Sequence, residues 1–455
     1  MLFVKGAPEE LLPRARWIDI DGRREPLSAE CVDAVVQAAT AMADRGLRVL
    51  AFAYRVLPTD YALAEAEADL VVTALAGFED PPRPEVPDAV RRCQTAGIRI
   101  IMVTGDHPHT ALAVARKIGL VRSPDPRLLT GADLGRMSDT EILFALDAPE
   151  LVCARVTADQ KLRVVTLLQR KRYIVAVTGD GVNDAPALRA ADIGIAMGRS
   201  GTDVAREASD MVLLDDNFAS IVEAIEEGRA IYENIRKFLT YVLTSNVPEL
   251  VPYLAFAFAR LPLALTVIQI LAVDLGTDML PALGLGTEPP DRAVMLRPPR
   301  NREDRLLTRG LLVRAYLFLG SLEAAAAMGA FMLVLGGAGW HPGTPLSADD
   351  VLYREATTAC LTAIVLMQVV NVHLCRSRRK SIFTGPFLGN RLITAGIVAE
   401  LVFIVLIDYT AAGHTLFGTA PIGLVSWGMI LPFAVGMLIL EELRKVIVRR
   451  TQVTG

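Results

Sequence analysis

Six long apolar stretches constrain this chain more than any other feature of its sequence. Each is long enough to cross a bilayer, which takes about 20 mostly apolar residues. They lie at residues 238–258, 262–286, 311–336, 357–375, 391–410 and 422–440. Residues 1–237 carry charges throughout and have the pattern of a soluble mixed α/β region. The sequence therefore predicts an α/β region followed by an all-α bundle of six membrane helices.

The basic residues predict how that bundle is oriented. Arginine and lysine concentrate in the linkers after the second and fourth stretches and in the C-terminal tail, whereas the intervening loops hold few. Because basic residues stay on the cytoplasmic side of a membrane, we expect the soluble region and the C-terminus in the cytoplasm, with the bundle in the plasma membrane and in contact with lipid. The net charge of −4 gives no reason to expect a nucleic-acid partner.

Polar residues interrupt the apolar stretches in a pattern that suits a cation site. A charged residue at mid-membrane costs about 2.5–3.5 kcal/mol on insertion scales, so several in one bundle need compensation. Residues three or four apart share a helix face, and Pro248 and Pro281 each free a backbone carbonyl. Such oxygens are the ligands that hard cations prefer. The residues concerned are Asn246, Glu249, Asp274, Thr277, Asp278, Gln368, Asn371 and Glu400.

An alternative for these residues is a set of protonated carboxyl groups hydrogen-bonded between helices. It applies most strongly to Asn371 and Glu400, because each stands alone on its helix. The shared spacing of Asn246 with Glu249, and of Asp274 with Asp278, favours the cation site for the other positions.

Three segments of the soluble region carry residues suited to phosphoryl chemistry. Two apolar runs end in Thr-Gly-Asp, in IRIIMVTGDHPHTA (98–111) and YIVAVTGDGVNDAPAL (173–188), and ARVTADQK (154–161) lies between them. Ligands of open parallel sheets gather where strands end and helices begin, and helix N-termini there favour phosphate. A Thr hydroxyl, a Lys and two Asp four apart can hold a phosphoryl group and Mg²⁺.

These motifs resemble those of P-type cation-transporting ATPases. KGAPE (5–9), DPPRPEV (80–86), MVTGD (102–106), ARVTADQK and TGDGVNDAPAL (178–188) follow one another in the order of that family. The resemblance implies a nucleotide-binding remnant at 1–78 and an incomplete α/β phosphorylation domain of the haloacid-dehalogenase-like fold at 79–217. A stalk and a six-span cation-transporting domain would follow at 218–455.

The resemblance also implies ATP-driven transport of a hard monoatomic cation, with ATP as substrate and Mg²⁺ as cofactor. Asp180 and Asp184 would bind Mg²⁺. The implied catalytic residues are Thr104, Lys161, Asp180, Asn183 and Asp184. The implied ATP contacts are Lys5, Arg48, Thr104, Gly105, Asp106, Arg155, Lys161 and Asn183.

The membrane motifs point to a branch of the family. TSNVPELVPYLAF and QILAVDLGTDMLPALGLGTEPP resemble type II pumps of the sodium/potassium and proton/potassium branch. Ser245 stands where proton/potassium pumps have Lys, which argues against acid secretion. Four residues match positions of a third sodium site, although Asn371 replaces the Asp expected there. They are Tyr241, Thr244, Gln368 and Glu400.

The family's phosphorylated aspartate lies in a DKTGT segment, and no DKTG occurs in this sequence. KGAPE follows that segment in the family, so we expect that the actuator domain and the first four membrane helices are also missing and that an N-terminal half is a partner. The strand bearing the nucleophile belongs at the centre of its sheet, so its neighbours should have open edges. We therefore expect that the chain alone forms no phosphoenzyme.

Two other hypotheses stay open. One is a membrane-tethered phosphatase that uses Asp19, because Asp19-Ile20-Asp21-Gly22 superficially resembles a dehalogenase nucleophile motif; the competing interpretation is a hairpin turn at Asp21-Gly22. The other is a catalytically inactive membrane protein that binds ions or a partner.

Overall fold

A computed structural model describes residues 1–58, 66–78, 81–384 and 387–453. These residues form two compact units, one of Met1–Ile225 with Arg292–Arg302 and one of Glu226–Asp291 with Glu303–Gly455. Asp80, the first residue of the DPPRPEV motif, lies outside the described residues. The predicted division of the soluble region at residue 78 stays a prediction.

The N-terminal part of the first unit is built on a five-stranded sheet with the order β1-β4-β5-β2-β3. β2 and β5 pair in parallel, and the other neighbours are antiparallel. Leu11, Ala51 and Leu70 pack in its core. The elements are β1 (Leu2–Gly6), α1 (Pro8–Leu11), β2 (Ala15–Ile20), β3 (Arg23–Pro26), α2 (Ala29–Asp44), β4 (Arg48–Arg55) and β5 (Leu70–Phe78).

The connection between β2 and β3 is a tight hairpin. Asp21 and Gly22 have φ of 50° and 79°, the positive values that such a turn requires of both central residues. The Asp19 carboxylate accepts a hydrogen bond of 2.9 Å from the Gly22 N–H. The predicted hairpin turn is confirmed, and Asp19 stabilises it.

The rest of the first unit contains two separate parallel sheets of three strands, with the orders β6-β8-β7 and β11-β10-β9. In the described residues β6 and β9 are therefore both edge strands. β6 is followed directly by Thr104-Gly105-Asp106, and β9 ends within Thr178-Gly179-Asp180. The strands are β6 (Met102–Val103), β7 (Arg127–Thr130), β8 (Leu151–Ala154), β9 (Ala176–Gly179), β10 (Ile193–Met197) and β11 (Met211–Leu213).

Helices cover these sheets and begin close to the ends of strands. Thr130, Ser138 and Thr157 each form a capping box that satisfies backbone N–H groups at a helix start. The helices are α3 (Val86–Thr95), α4 (Pro108–Lys117), α5 (Gly131–Arg136), α6 (Asp139–Ala145), α7 (Ala158–Arg170), α8 (Ala185–Ala190) and α9 (Asp203–Glu207).

The six predicted membrane helices are confirmed as six helices long and apolar enough to span a bilayer. H1 begins at Phe218, well before residue 238, because the charged segment 218–237 belongs to the same helix. H4 is the most enclosed helix of the second unit. The helices are H1 (Phe218–Ala259), H2 (Val267–Gly286), H3 (Arg309–Gly337), H4 (Val351–Cys375), H5 (Arg391–Tyr409) and H6 (Leu424–Val453).

Close packing against H5 fixes the position of H2. A Cβ atom on Gly396 would lie 2.8 Å from the backbone nitrogen of Pro281, and one on Gly284 would lie 2.7 Å from the side chain of Ile393. Within H2 the residues Val273–Thr277 form a π-helical turn, a widening that recurs at functional sites. Asp274 is part of this turn, and Asp278 directly follows it.

The interval 411–421, treated in the sequence as a plain loop, contains a short helix at Ala411–Phe417. The Thr410 hydroxyl accepts a hydrogen bond from the Gly413 N–H, and Gly418 ends the helix with a φ of 65°. These two caps stabilise a helix that its apolar pattern does not predict.

Candidate functional site

The Thr-Gly-Asp turn after β6 is attached to the end of β8. The Thr104 N–H donates to the Cys153 carbonyl at 2.9 Å, and the Val156 N–H donates to the Thr104 carbonyl at 3.0 Å. The Thr104 hydroxyl donates to the Asp106 carboxylate at 3.0 Å and accepts from the Asp106 N–H at 3.1 Å. Gly105 and Asp106 are exposed. The turn therefore presents backbone and carboxylate groups to solvent beside the strand ends.

Arg155, directly after β8, has an unusual backbone conformation. Its φ is 55°, which is uncommon for a residue other than glycine and costs about 1–3 kcal/mol. Its N–H donates to the Asp106 carbonyl at 3.0 Å. A Cβ atom on Gly131 would lie 2.1 Å from the Arg155 carbonyl oxygen, so only glycine fits at residue 131. Strain of this kind clusters at functional sites.

The turn after β9 is organised around the buried carboxylate of Asp184. One oxygen of Asp184 accepts from the N–H groups of Gly181 at 3.0 Å and Asp180 at 3.3 Å. A Cβ atom on Gly179 would lie 2.5 Å from the Asp184 Cβ, so this turn needs glycine. Asp180 and Asn183 are exposed. In this turn the Asp184 carboxylate is therefore buried, whereas the Asp180 carboxylate is exposed and can bind a ligand.

Lys161 connects the two parallel sheets. Its ammonium lies 2.6 Å from the second Asp184 oxygen, and Lys161 is on α7 after β8 while Asp184 follows β9. Burial acts to raise the pKa of Asp184, but hydrogen bonds from Lys161 and from the Gly181 and Asp180 backbone outweigh it and lower that pKa. The start of α7, after β8, therefore meets the turn after β9. The common phosphate and Mg²⁺ site stays a prediction.

Lys5 and Arg48, both expected to contact ATP, lie on the five-stranded sheet and are exposed. Lys5 pairs with Phe52 across β1 and β4, and Arg48 is on the same strand as Phe52. Side chains alternate along a strand, so the two cations project from one face, roughly 13 Å apart along β4. Their role in ATP binding stays a prediction.

Three carboxylates of the second unit converge. One oxygen each of Glu249, Asp274 and Asp278 lies within 4.8 Å of the others, with Glu249 and Asp278 buried and Asp274 exposed. They come from H1 and from both ends of the π-helical turn of H2. Three like charges at this separation repel one another unless a cation or protons neutralise them. The group has the composition of a hard-cation site.

Hydrogen bonds join the two helices that carry this acidic group to H4. The Thr277 hydroxyl donates to the Val273 carbonyl at 2.9 Å and to the Gln368 carbonyl oxygen at 3.3 Å. The Gln368 amide donates to the Ser245 hydroxyl at 3.3 Å. In addition, the Tyr241 hydroxyl donates to Asp278 at 3.1 Å. H1, H2 and H4 therefore position the acidic group together.

The other predicted cation ligands are placed differently from one another. Asn246 is exposed although Glu249, three residues later, is buried, so the two do not share a buried surface. Asn371 and Glu400 are buried. The Asn371 side-chain carbonyl accepts from the Cys375 thiol at 3.2 Å, whereas neither Glu400 oxygen has a hydrogen-bond partner among the described residues. Their roles as ligands stay predictions.

Two buried carboxyl groups in the apolar stretches were not predicted from the sequence. Glu323 on H3 is fully buried, and neither of its oxygens has a hydrogen-bond partner within the described ranges. Asp408, near the end of H5, is also fully buried and accepts a 2.8 Å hydrogen bond from Thr362. The available signal was a single acidic residue within an otherwise apolar stretch, such as the Glu in SLEAAAAMGAF.

A buried ion pair was missed as well. Arg314 on H3 donates to Glu441 on H6 at 2.7 Å and to the Leu374 carbonyl at 3.1 Å. Arg444 also donates to Glu441. Arg314 therefore neutralises the buried Glu441.

Comparison with known proteins identifies the family. Residues 262–447 match the family described as cation transporting ATPase, C-terminus, and residues 1–85 match the P-type ATPase cytoplasmic domain N. The sodium/potassium-transporting ATPase subunit alpha-3 of Gallus gallus is 37% identical over 99% of this chain and 50% of its own length.

The alpha-2 subunits of Rattus norvegicus and Homo sapiens are each 37% identical with the same coverage. The chain thus spans about half the length of the relatives it matches. The two family matches, the 99% coverage and the six membrane helices agree, and the chain belongs to the cation-transporting P-type ATPase family.

Proposed function

We propose that this chain supplies the phosphate-holding and cation-binding parts of an ATP-driven pump for a hard monoatomic cation, and that it works with an N-terminal half. The observation that carries the proposal is the convergence of Glu249, Asp274 and Asp278 within 4.8 Å. Oxygen ligands from carboxylates and a nearby hydroxyl select hard cations over soft ones. The sodium/potassium-transporting relatives favour a monovalent cation.

The two three-stranded sheets support an incomplete haloacid-dehalogenase-like phosphorylation domain. β6 and β9 are edge strands, and the residues that follow them carry Thr104 and Asp180. We infer that a strand bearing DKTGT pairs between β6 and β9, so that its aspartate meets these residues. Lys161, held by Asp184, and Thr104 would then hold the transferred phosphoryl group.

Mg²⁺ and ATP fit the donors in the first unit. Asp180 offers an exposed carboxylate, while Asp184 is engaged by Lys161 and by two backbone N–H groups. Asp180 is therefore the principal Mg²⁺ ligand in this proposal, and Asp184 orients Lys161. When bound, Mg²⁺ neutralises charge on the phosphoryl oxygens. The proposed ATP contacts remain Lys5, Arg48, Thr104, Gly105, Asp106, Arg155, Lys161 and Asn183.

H1 offers a route by which phosphorylation affects the cation group. It is one helix of 42 residues that begins in the first unit and carries Glu249 in the second.

The Arg292–Arg302 linker between H2 and H3 belongs to the first unit, which supports a common, cytoplasmic side for the soluble region and the basic linkers. We propose that the chain resides in the plasma membrane.

Cation binding by the purified 455-residue chain in lipid nanodiscs tests this function. We expect sodium, potassium or calcium chloride to raise its unfolding free energy, by about 2.7 kcal/mol at a concentration about 100-fold above Kd, relative to choline chloride. Glu249→Gln and Asp278→Asn should lose this stabilisation, whereas Asp349→Asn, an exposed acidic residue outside the group, should keep it.

A second measurement is needed to separate the competing hypotheses. Asp180→Asn leaves cation binding unchanged under both the pump and the inactive-protein hypotheses, so ATP hydrolysis with the N-terminal half must decide between them. A phosphatase that uses Asp19 would lose activity in Asp19→Asn, but the hydrogen bond from Gly22 favours a structural role for that side chain. Stabilisation by none of the three salts would contradict the proposed cation site.

A further inference from the structure

We propose that Asp216 is a positioning residue for the Mg²⁺ site, because it fixes the loop that holds the backbone of Asp180. The inference rests on the proposed function, since it assumes that Asp180 binds Mg²⁺. Asp216 lies outside the Thr-Gly-Asp and ARVTADQK segments from which the sequence predicts phosphoryl chemistry.

The backbone of Asp180 is held by hydrogen bonds on both sides of its side chain. Its N–H donates to the Asp184 carboxylate at 3.3 Å, and its carbonyl accepts from the Thr202 N–H at 2.9 Å. Because these bonds fix the two peptide groups that flank the Asp180 Cα atom, they limit the directions in which the exposed carboxylate can point. The Thr202 N–H therefore helps to orient Asp180 toward a ligand.

Thr202 ends the loop that joins β10 to α9, and this loop is tightly packed. A Cβ atom on Gly201 would lie 1.9 Å from the Met197 carbonyl oxygen, so glycine is required at residue 201. The Arg206 guanidinium donates to the carbonyl groups of Gly198 and Gly201, at 2.8 Å in each case. Arg206 thus satisfies two carbonyl groups of the loop, whose N–H groups need acceptors from elsewhere.

Asp216 provides those acceptors. One of its carboxylate oxygens accepts from the Arg199 N–H at 2.9 Å, and the other accepts from the Ser200 N–H at 2.8 Å. The bond from Arg199 contributes most to lowering the pKa of Asp216 to about 2, so the carboxyl group is ionised at neutral pH. Hydrogen bonds to an ionised acceptor are stronger than neutral ones. Asp216 therefore anchors the loop two residues before Thr202.

The backbone of Asp216 has a conformation that few residues adopt. Its φ is 53°, in the left-handed region that glycine, asparagine and aspartate enter most readily. Such a conformation persists only where surrounding interactions maintain it, and it recurs at functional sites. The two bonds to the loop are interactions of this kind. A test must therefore remove these bonds without forcing the backbone to change.

Mn²⁺ binding to the full 455-residue chain in lipid nanodiscs, measured by electron paramagnetic resonance, tests the inference with Mn²⁺ as the probe for Mg²⁺. The binding that Asp180→Asn removes defines the site, because the acidic group of the membrane unit can also bind Mn²⁺. Asp216→Gly permits the left-handed backbone but removes both acceptor oxygens. We expect it to weaken the Asp180-dependent binding by about tenfold. Asp216→Asn keeps one acceptor oxygen and should weaken this binding less.

Hydrogen exchange in the same samples shows whether the loop transmits the effect. The Thr202 N–H should exchange with solvent faster in Asp216→Gly than in the wild type, because the loop has lost its anchor. Faster exchange together with an unchanged Mn²⁺ affinity would contradict the inference, since the loop would then have no influence on Asp180. If Asp216→Gly fails to fold, Asp216→Asn carries the test, and a wild-type Mn²⁺ affinity for that variant would also contradict it.

A matched control is available in Asp215, the neighbouring residue with the same charge. Its carboxylate accepts from the Asn217 N–H at 3.2 Å and from the Ser220 hydroxyl at 2.6 Å, both at the start of H1. Asp215→Ala should therefore bind Mn²⁺ like the wild type, and an equal loss in Asp215→Ala and Asp216→Gly would contradict a specific role for Asp216. A wild-type chain without Asp180-dependent Mn²⁺ binding would instead overturn the proposed function.

Discussion

The Lys161 ammonium and the Asp184 carboxylate lie 2.6 Å apart and connect the two parallel sheets of the soluble unit. Their side chains are 21% and 12% exposed, so water screens the pair only weakly. Two backbone N–H groups also bind Asp184, which fixes the carboxylate and through it the direction of Lys161. This geometry places the Lys161 ammonium at the strand ends where we propose that phosphate binds.

Removal of the Lys161 side chain should lower the free energy of unfolding. In Lys161→Ala the Asp184 carboxylate keeps its backbone hydrogen bonds but loses its counter-charge, and we expect a loss of about 1–3 kcal/mol in unfolding free energy. Pulse proteolysis in urea measures this for the full chain. Lys171→Ala removes a more exposed pair with Asp147 and should cost less than about 1 kcal/mol. Equal effects of the two substitutions would argue against a special role for Lys161.

The same pair should make stability depend on pH in one direction. The pKa of Asp184 is lowered in the folded chain, so its contribution is complete above its ordinary pKa of 3.8 and disappears as the pH falls through the lowered value. The urea midpoint of the wild type should therefore fall more steeply below about pH 4 than that of Asp184→Asn. Parallel curves for the two proteins would contradict this assignment.

The contact between H2 and H5 should tolerate no side chain at residue 396. A Cβ atom on Gly396 meets the Pro281 backbone nitrogen at 2.8 Å, so Gly396→Ala must push the two helices apart. We expect the free energy of unfolding of the membrane unit to fall by about 1–3 kcal/mol. Gly428→Ala on H6 is the control, because a Cβ there meets nothing within 4 Å. It should be neutral or stabilising by up to about 1 kcal/mol.

The buried pair of Arg314 and Glu441 should behave as a unit. Arg314→Met leaves Glu441 fully buried with Arg444 as its remaining partner, and we expect a loss of about 1.5–3 kcal/mol. Arg314→Met combined with Glu441→Leu should recover much of that loss, because the buried carboxylate that lost its Arg314 partner is then also gone. Thermal unfolding in detergent measures both. A double variant less stable than the single variant would contradict the interpretation.

Local patterns of the sequence were sufficient to predict much of this structure. Apolar length predicts the six membrane helices, and Asp21-Gly22 predicts the hairpin because both residues accept a positive φ. The ARVTADQK segment also places Lys161 in the first turn of α7, close to the end of β8. In each case the determining interactions lie within a few residues along the chain.

The features that were missed depend on contacts between distant segments. Glu323 has no polar residue at helical spacing to draw attention to it, and its complete burial arises from neighbouring helices. Asn246 and Glu249 have the spacing of one helix face, yet packing encloses only Glu249. The run at 98–103 predicts a buried strand, but only Met102–Val103 forms one, because β6 pairs with β8 alone in the described residues.

Phosphorylation from radiolabelled ATP tests the central claim most directly. This chain would be expressed alone and together with an N-terminal half that carries DKTGT, and each preparation would be incubated with labelled ATP and Mg²⁺ with and without the cation that binds. We expect an acid-stable, hydroxylamine-sensitive label on the N-terminal half, only when both halves and the cation are present, and none with Asp180→Asn. Label on this chain by itself, or no label on the assembled pair, would contradict the account.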